Sequence, residues 1–495
     1  MKLFTEVEKT RISYHNNQSQ NTVHRSSLLA PRIEHAATVV SFLNHFLIKR
    51  NYKSVTLKIS AISTEGNLKN SISIAIDEPK VYTFYLEELF DDINDLGEYL
   101  IEFFSTNNLF IPFPAVMVNH VGNDFINTVH AYNRVLNDVF EDDEVNNFQV
   151  CESSIDVLID EEYDSFFIHT SGPFDLNGTL KISIDDSDQL SQVIPVNMKR
   201  LNNRTFKLSE IFTSRSISGS TLKILQPSQT LFYGRLLAGV LNRKSGAFSA
   251  NHSYYDTSSI AEYFDSNLST RHYPYFSDRQ NNITMYPIVS ESILDISIEI
   301  SDGNKTFKSP TQKLQSPSKI SVKFNVNELV KTSGLQNVTS FKVHAYSDQY
   351  KIPTRVSHQV IYSAFNSGSK LNSSINVALN NEKVFDAPKK AFIIWGQVVV
   401  SNAYESQLGI CFSTPPSTSG EEISVDFYDR SGLVKNVTKY LKPNRSIIFD
   451  SAFFANFTSE DEFIWYVARS KSGKLTAVSF HFHRLSENAS GEHSF

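Results

Sequence analysis

Two markers recur along this chain at a shared spacing, and that recurrence limits the available folds more than any other feature. Leu86-Glu-Glu88-Leu-Phe90 is matched by Leu208-Ser-Glu210-Ile-Phe212 and by Val326-Asn-Glu328-Leu-Val330, and Phe449-Asp-Ser-Ala452-Phe-Phe454 takes the same place without the glutamate. Positions 88, 210, 328 and 452 lie 122, 118 and 124 residues apart. The second marker is Gly, then Phe, then a strand-like run ending in His-x-Tyr. It occurs at Gly122–Tyr132 and Gly246–Tyr254, and in weaker form at His358 and at His481-Phe-His483. His130, His252, His358 and His481 lie 122, 106 and 123 residues apart. Self-similarity at one period is the signature of a structural unit used repeatedly, here four times.

The unit reads as β. Ser54–Ser63, Ser71–Ile76, Leu180–Ile184 and Ile423–Phe427 alternate apolar and polar residues, which places every second side chain on one face of a strand. The 37 Phe and 21 Tyr, against 4 Met and 2 Trp, suit half-buried pleated surfaces. Ala37–Arg50 reads as the entering strand. Each Leu-x-Glu-Leu-Phe marker predicts one short turn of helix. Short strands separated by Gly and Asn turns resemble tandem immunoglobulin-like or fibronectin-like sandwiches. The expectation is therefore all-β, with a polar arm over 1–30 and sandwich repeats over 31–145, 146–264, 265–378 and 379–495. The polar segments 141–147, 261–279 and 372–390 read as linkers.

Composition removes several functions. A net charge of −7 with both signs interspersed argues against nucleic acid as a partner. Two distant cysteines, Cys151 and Cys411, give neither a disulfide framework nor a zinc motif. The chain opens without an apolar segment of signal-peptide length, and no run is long enough for a membrane helix. The expectation is a soluble, cytoplasmic protein with no membrane insertion, with association to a particle or surface as the alternative. Phosphate loop, nucleophile elbow, His-Glu-x-x-His and dinucleotide fingerprints are all missing, so no motif supports an enzyme.

The candidate site residues come from the markers themselves. His-x-Tyr on a strand puts both side chains on one face. If the repeats bring His130, His252, His358 and His481 or His483 together, imidazole suits a transition metal; otherwise each imidazole is a hydrogen-bonded core group. Acidic turns at 91–95, 141–144, 160–164 and 185–188 offer oxygen ligands for calcium, or are simply solvated. Glu88, Glu210 and Glu328 sit where a carboxylate accepts backbone N–H groups. Aromatic residues gather at Tyr132, Tyr254, Tyr255, Arg271, His272, Tyr273 and Tyr275, as in surfaces that hold sugars or proteins; the alternative is packing between modules.

The reading that follows is a non-enzymatic interaction or structural protein that binds a glycan or protein partner through loops and intermodule surfaces, with a homo-oligomer as a further option. The alternatives are a metal-binding protein or metalloenzyme built on the repeated histidines, and a glycan-processing enzyme with paired carboxylates in a cleft.

Overall fold

A computed structural model of the chain describes residues 2–3, 9, 24–91, 95–105, 114–130, 132–135, 151–185, 187–212, 217–229, 232–255, 262–286, 292–314, 321–354, 356–381, 392–416, 419–457 and 462–495. The chain divides into two compact units, one of residues 5–260 and one of residues 261–495 joined by residues 1–4. Both are built of small antiparallel sheets, and the protein is all-β as expected.

In the unit of residues 5–260 the chain first lays down His24–Ala30, Ala37–Leu43, Val55–Ser63, Leu68–Ile76, Val81–Tyr85, Leu96–Ser105, Met117–Val121 and Ile126–His130. The first pairs with the sixth, the sixth with the third, and the third with the fourth. The remaining four form a second sheet in the order fifth, second, seventh, eighth. The same order then holds for Cys151–Asp156, Tyr163–Thr170, Leu176–Ile184, Ser191–Met198, Asn203–Lys207, Thr221–Leu225, Leu237–Asn242 and Phe248–His252.

The unit of residues 261–495 repeats it with Leu268–Pro274, Gln280–Met285, Leu294–Ser301, Thr306–Lys308, Val322–Asn325, Ser340–Tyr346, Ser357–Ser363 and Ser373–Ala378. It does so again with Phe392–Val399, Tyr404–Thr414, Glu421–Asp429, Gly432–Leu441, Ser446–Phe449, Phe463–Ser470, Lys474–His483 and Ala489–His493.

Alternation explains why such sheets pack. In Glu421–Asp429 the side chains of Ile423, Val425 and Phe427 are fully buried, and they join Leu408, Ile410 and Phe449 of the facing sheet in one core. Burying each such side chain contributes about 1.5–3 kcal/mol. The core of Leu180, Ile182, Phe167 and Phe206 is built the same way.

The expected helical turns are present: Leu86–Leu89, Leu208–Ile211, Val326–Ser333 and Ser451–Ala455 each follow the fifth strand of their set. Leu86, Leu208 and Val326 open them and are fully buried, so each turn plugs the end of a core. The recurring glutamates do not supply the caps. Asn325 accepts from the Glu328 N–H, Asp450 accepts from the Phe453 N–H, and Glu87 rather than Glu88 accepts from Thr38 N at 2.8 Å. Glu88, Glu210 and Glu328 are exposed in the first turn, where a negative charge favours the helix N-terminus.

Four details differ from the expectation. In an immunoglobulin domain the first strand joins the second, and the last joins the sixth. Here the first joins the sixth and the seventh joins the second, so the outer strands exchange sheets around a shared centre. Ala37–Arg50 is not one strand. It breaks at Asn44, whose side chain caps the helix His45–Arg50 by accepting from Leu47 N at 3.1 Å. The polar N-terminal stretch, most of which lies outside the described residues, is not an arm throughout: His24–Ala30 is a strand, and Lys2–Leu3 pairs in parallel with Glu262–Tyr263. Finally, 261–279 and 372–390 are not linkers throughout, since Leu268–Pro274 and Ser373–Ala378 pair in sheets.

Candidate functional site

Each marker histidine ends up on or beside a ladder, with its own set of neighbours. His130 and His252 end the last strands of two sheets in the same unit, and their rings meet edge to face with centroids 4.4 Å apart. The Arg235 guanidinium lies 3.2 Å from His252 Nδ1, and the Ser253 carbonyl lies 3.0 Å from the same atom. His358 is fully buried. Its Nδ1 donates to the Val356 carbonyl at 3.2 Å, and its Nε2 accepts from the Tyr273 hydroxyl at 2.5 Å. Burial holds its pKa down at about 3, so the ring is neutral.

His481 is buried with its ring 5.5 Å from that of Tyr404. The His483 ring lies 5.2 Å from that of Tyr404, and its Nδ1 accepts from Ser486 N in the turn that follows. Among the described residues, no group of three or more ligating side chains includes His358, His481 or His483.

The aromatic stretch is core. Arg271, His272 and Tyr273 lie in the strand Leu268–Pro274, where His272 and Tyr273 are buried, and Tyr275 follows with its hydroxyl accepting from Asn327 Nδ2 at 3.2 Å. Arg271 is held by the Ala378 carbonyl at 3.0 Å. Burial, with Lys342 adding to it, lowers the His272 pKa to about 3. Tyr132 is also buried, and burial beside Glu98 raises its hydroxyl well above the usual range. Tyr254 and Tyr255 form a short strand against Glu152 and Ser153, and their side chains lie outside the described residues. Of the acidic turns, Asp160 accepts from Glu162 N and Tyr163 N, and Asp185 accepts from Thr221 N, while 141–144 lie outside the described residues.

A site that no motif announced lies at one end of the sandwich built from residues 392–493. A cavity of about 310 Å³ opens there, lined among others by Asn402, Tyr404, Ser451, Phe454, Glu462 and Arg484. Four separate segments supply these groups, and backbone bonds fix them: Val400 N donates to the Glu462 carbonyl at 2.7 Å, and Arg484 N to the Ala403 carbonyl at 2.9 Å. The Arg484 guanidinium donates through Nε to the Asn402 carbonyl at 3.0 Å and through Nη1 to Glu405 at 2.8 Å. Glu405 also receives Arg279 at 2.9 Å.

The Glu462 carboxyl is different. It is half-buried, burial alone pushes its pKa up, and among the described residues nothing hydrogen-bonds it. Phe454 and Tyr404, both buried, also border the cavity. The lining therefore combines a carboxyl and a guanidinium with two aromatic rings, and its surface is mainly polar. No period or spacing along the chain marks residues that come from four separate segments.

No protein-family model matches this chain. No curated protein matches it either. Among solved structures it is similar to trypsin-activated alpha-2-macroglobulin from Escherichia coli at 7% identity and a TM-score of 0.13, over 95% of this chain and 30% of that one. The chain thus spans about a third of that protein's length. A score that low assigns no fold.

Proposed function

We propose that this chain is a non-enzymatic interaction protein made of four sandwich repeats, similar to immunoglobulin-like modules in their central strands, that binds a glycan through a loop-lined subsite. The observation that carries this reading is the cavity at Glu462 and Arg484, whose lining combines groups that donate and accept hydrogen bonds with aromatic side chains. The recurrence of one pairing order supports the repeat count. Glycan hydrolysis needs two carboxyls facing one groove. Of the described residues lining the cavity only Glu462 carries one, and the nearby Glu405 is engaged by two arginines. The test is saturation-transfer NMR on the full chain with a panel of monosaccharides. Transfer to at least one sugar, lost in Arg484→Ala, is the expected result. A panel that shows no transfer overturns the reading.

A second reading, metal binding, draws on the contact between His130 and His252. Arg235 beside His252 opposes a cation at that nitrogen, so this reading ranks below the first.

A further inference from the structure

The subsite also carries information about what kind of sugar it holds. Resting on the glycan reading above, we infer that the cavity selects a neutral sugar ring whose adjacent hydroxyls donate to Glu462, and that it discriminates against anionic sugars. The argument starts from which charges are already satisfied. Arg484 is the cationic group on the lining, and it is bound to Glu405 at 2.8 Å and to the Asn402 carbonyl. Glu405 is shared with Arg279, which also lies 3.7 Å from Asp278. An incoming carboxylate or sulfate would have to compete for a guanidinium that already has its counter-ion.

Glu462 stands on the other side of this balance. Its backbone is fixed by Val400, yet its carboxyl has no hydrogen-bond partner among the described residues. A partly buried acceptor left without a protein donor is open to a ligand that donates to it. An anion placed beside it adds repulsion instead.

A cation would satisfy Glu462 but would share the same small cavity with Arg484. Hydroxyl groups suit both residues, because each one donates and accepts. Two adjacent hydroxyls can donate to the two oxygens of one carboxylate, and the C–H face of the ring has Phe454 and Tyr404 of the same lining to pack on. At about 310 Å³ the cavity suits one ring rather than an extended chain, since it falls at the small end of the roughly 300–1,000 Å³ usual for ligand sites.

The experiment is titration of the full chain with galactose, glucose and mannose, with glucuronate and galacturonate, and with glucosamine, repeated on Glu462→Gln. At least one neutral hexose is expected to bind about tenfold more tightly than either uronate. Glu462→Gln should weaken the neutral sugar about tenfold and shrink the discrimination, with an unchanged circular dichroism spectrum showing that the variant is folded. Uronates binding as well as or better than neutral sugars overturn the inference and leave the glycan reading standing, as do glucosamine binding above all others or a Glu462→Gln affinity equal to wild type. Failure of every sugar overturns both.

Discussion

Replacing Tyr273 by Phe deletes one oxygen and leaves the ring where it is. His358 Nε2 then faces a closed core without its donor, while Nδ1 keeps the Val356 carbonyl. A buried acceptor stripped of its partner costs about 1–3 kcal/mol. Adding His358→Leu removes the orphaned nitrogen but also takes the donor from the Val356 carbonyl, so the double variant should recover only part of that loss.

The same pair makes a pH prediction whose sign is set by burial. The folded imidazole has a pKa of about 3 against 6.5 for the free group, so below pH 6.5 the unfolded chain takes up a proton that the folded core refuses. This stability is complete above pH 6.5 and drains away as pH falls toward 3. By pH 5 the loss is about 2 kcal/mol, at about 1.4 kcal/mol per pH unit. His358→Leu removes that share of the pH dependence. A chain with several cores does not unfold in one step, so the assay is native-state hydrogen exchange at the Val360 and Ile361 amides of the same strand. Protection in Tyr273→Phe within about 0.5 kcal/mol of wild type, or a double variant no better than the single one, refutes the reasoning.

Three further outcomes are expected. Glu98 is buried where it accepts from Arg32 N at 2.7 Å, and desolvation raises its pKa to about 8; its contribution is full below pH 4.5 and lost as pH rises through 8, so Glu98→Gln should flatten the rise in instability seen in thermal melts across that window, and an unchanged profile would sink the assignment. Asn44→Ala removes a helix cap and buried donors to the Glu78 and Ile76 carbonyls, and should lower stability in urea by about 2 kcal/mol; a loss under about 0.5 kcal/mol would mean the cap is idle. Purified protein dialysed against zinc or copper should retain no stoichiometric metal by elemental analysis, and retention abolished by a folded His252→Ala variant would put the metal reading ahead.

The β character of this chain was legible because alternation in stretches such as 55–59 and 423–427 reflects burial on one face. Three of the helical turns were legible because a buried leucine or valine follows the fifth strand at the same place, and the fourth buries Phe454 instead. Pairing order was not. Alternation says which face of a strand is buried and nothing about which neighbour it joins, so the exchange of outer strands left no local mark. Asn44 was missed for a related reason: Phe46 and Leu47 continue an apolar run, and only a side-chain cap reveals the break. The cavity was least visible of all. Tyr404, Ser451, Glu462 and Arg484 converge because four strand ends meet, and no sequence spacing records that meeting.

One pairing order used repeatedly in a single chain also creates decoys. While the chain folds, Ile126–His130, Phe248–His252, Ser373–Ala378 and Ala489–His493 each seek the same position at the edge of a sheet, and all are tethered at high effective concentration to one another's docking sites. Correct assembly then depends on the ways these strands differ. Asn127 and Asn251 interrupt the first two, Asn376 the third, and Gly491 the fourth, where a Cβ would come within 2.4 Å of Ser373 Oγ. Divergence among equivalent strands acts as an address system, and grafting one closing strand onto another's position should trade yield of folded protein for cross-paired, aggregation-prone species.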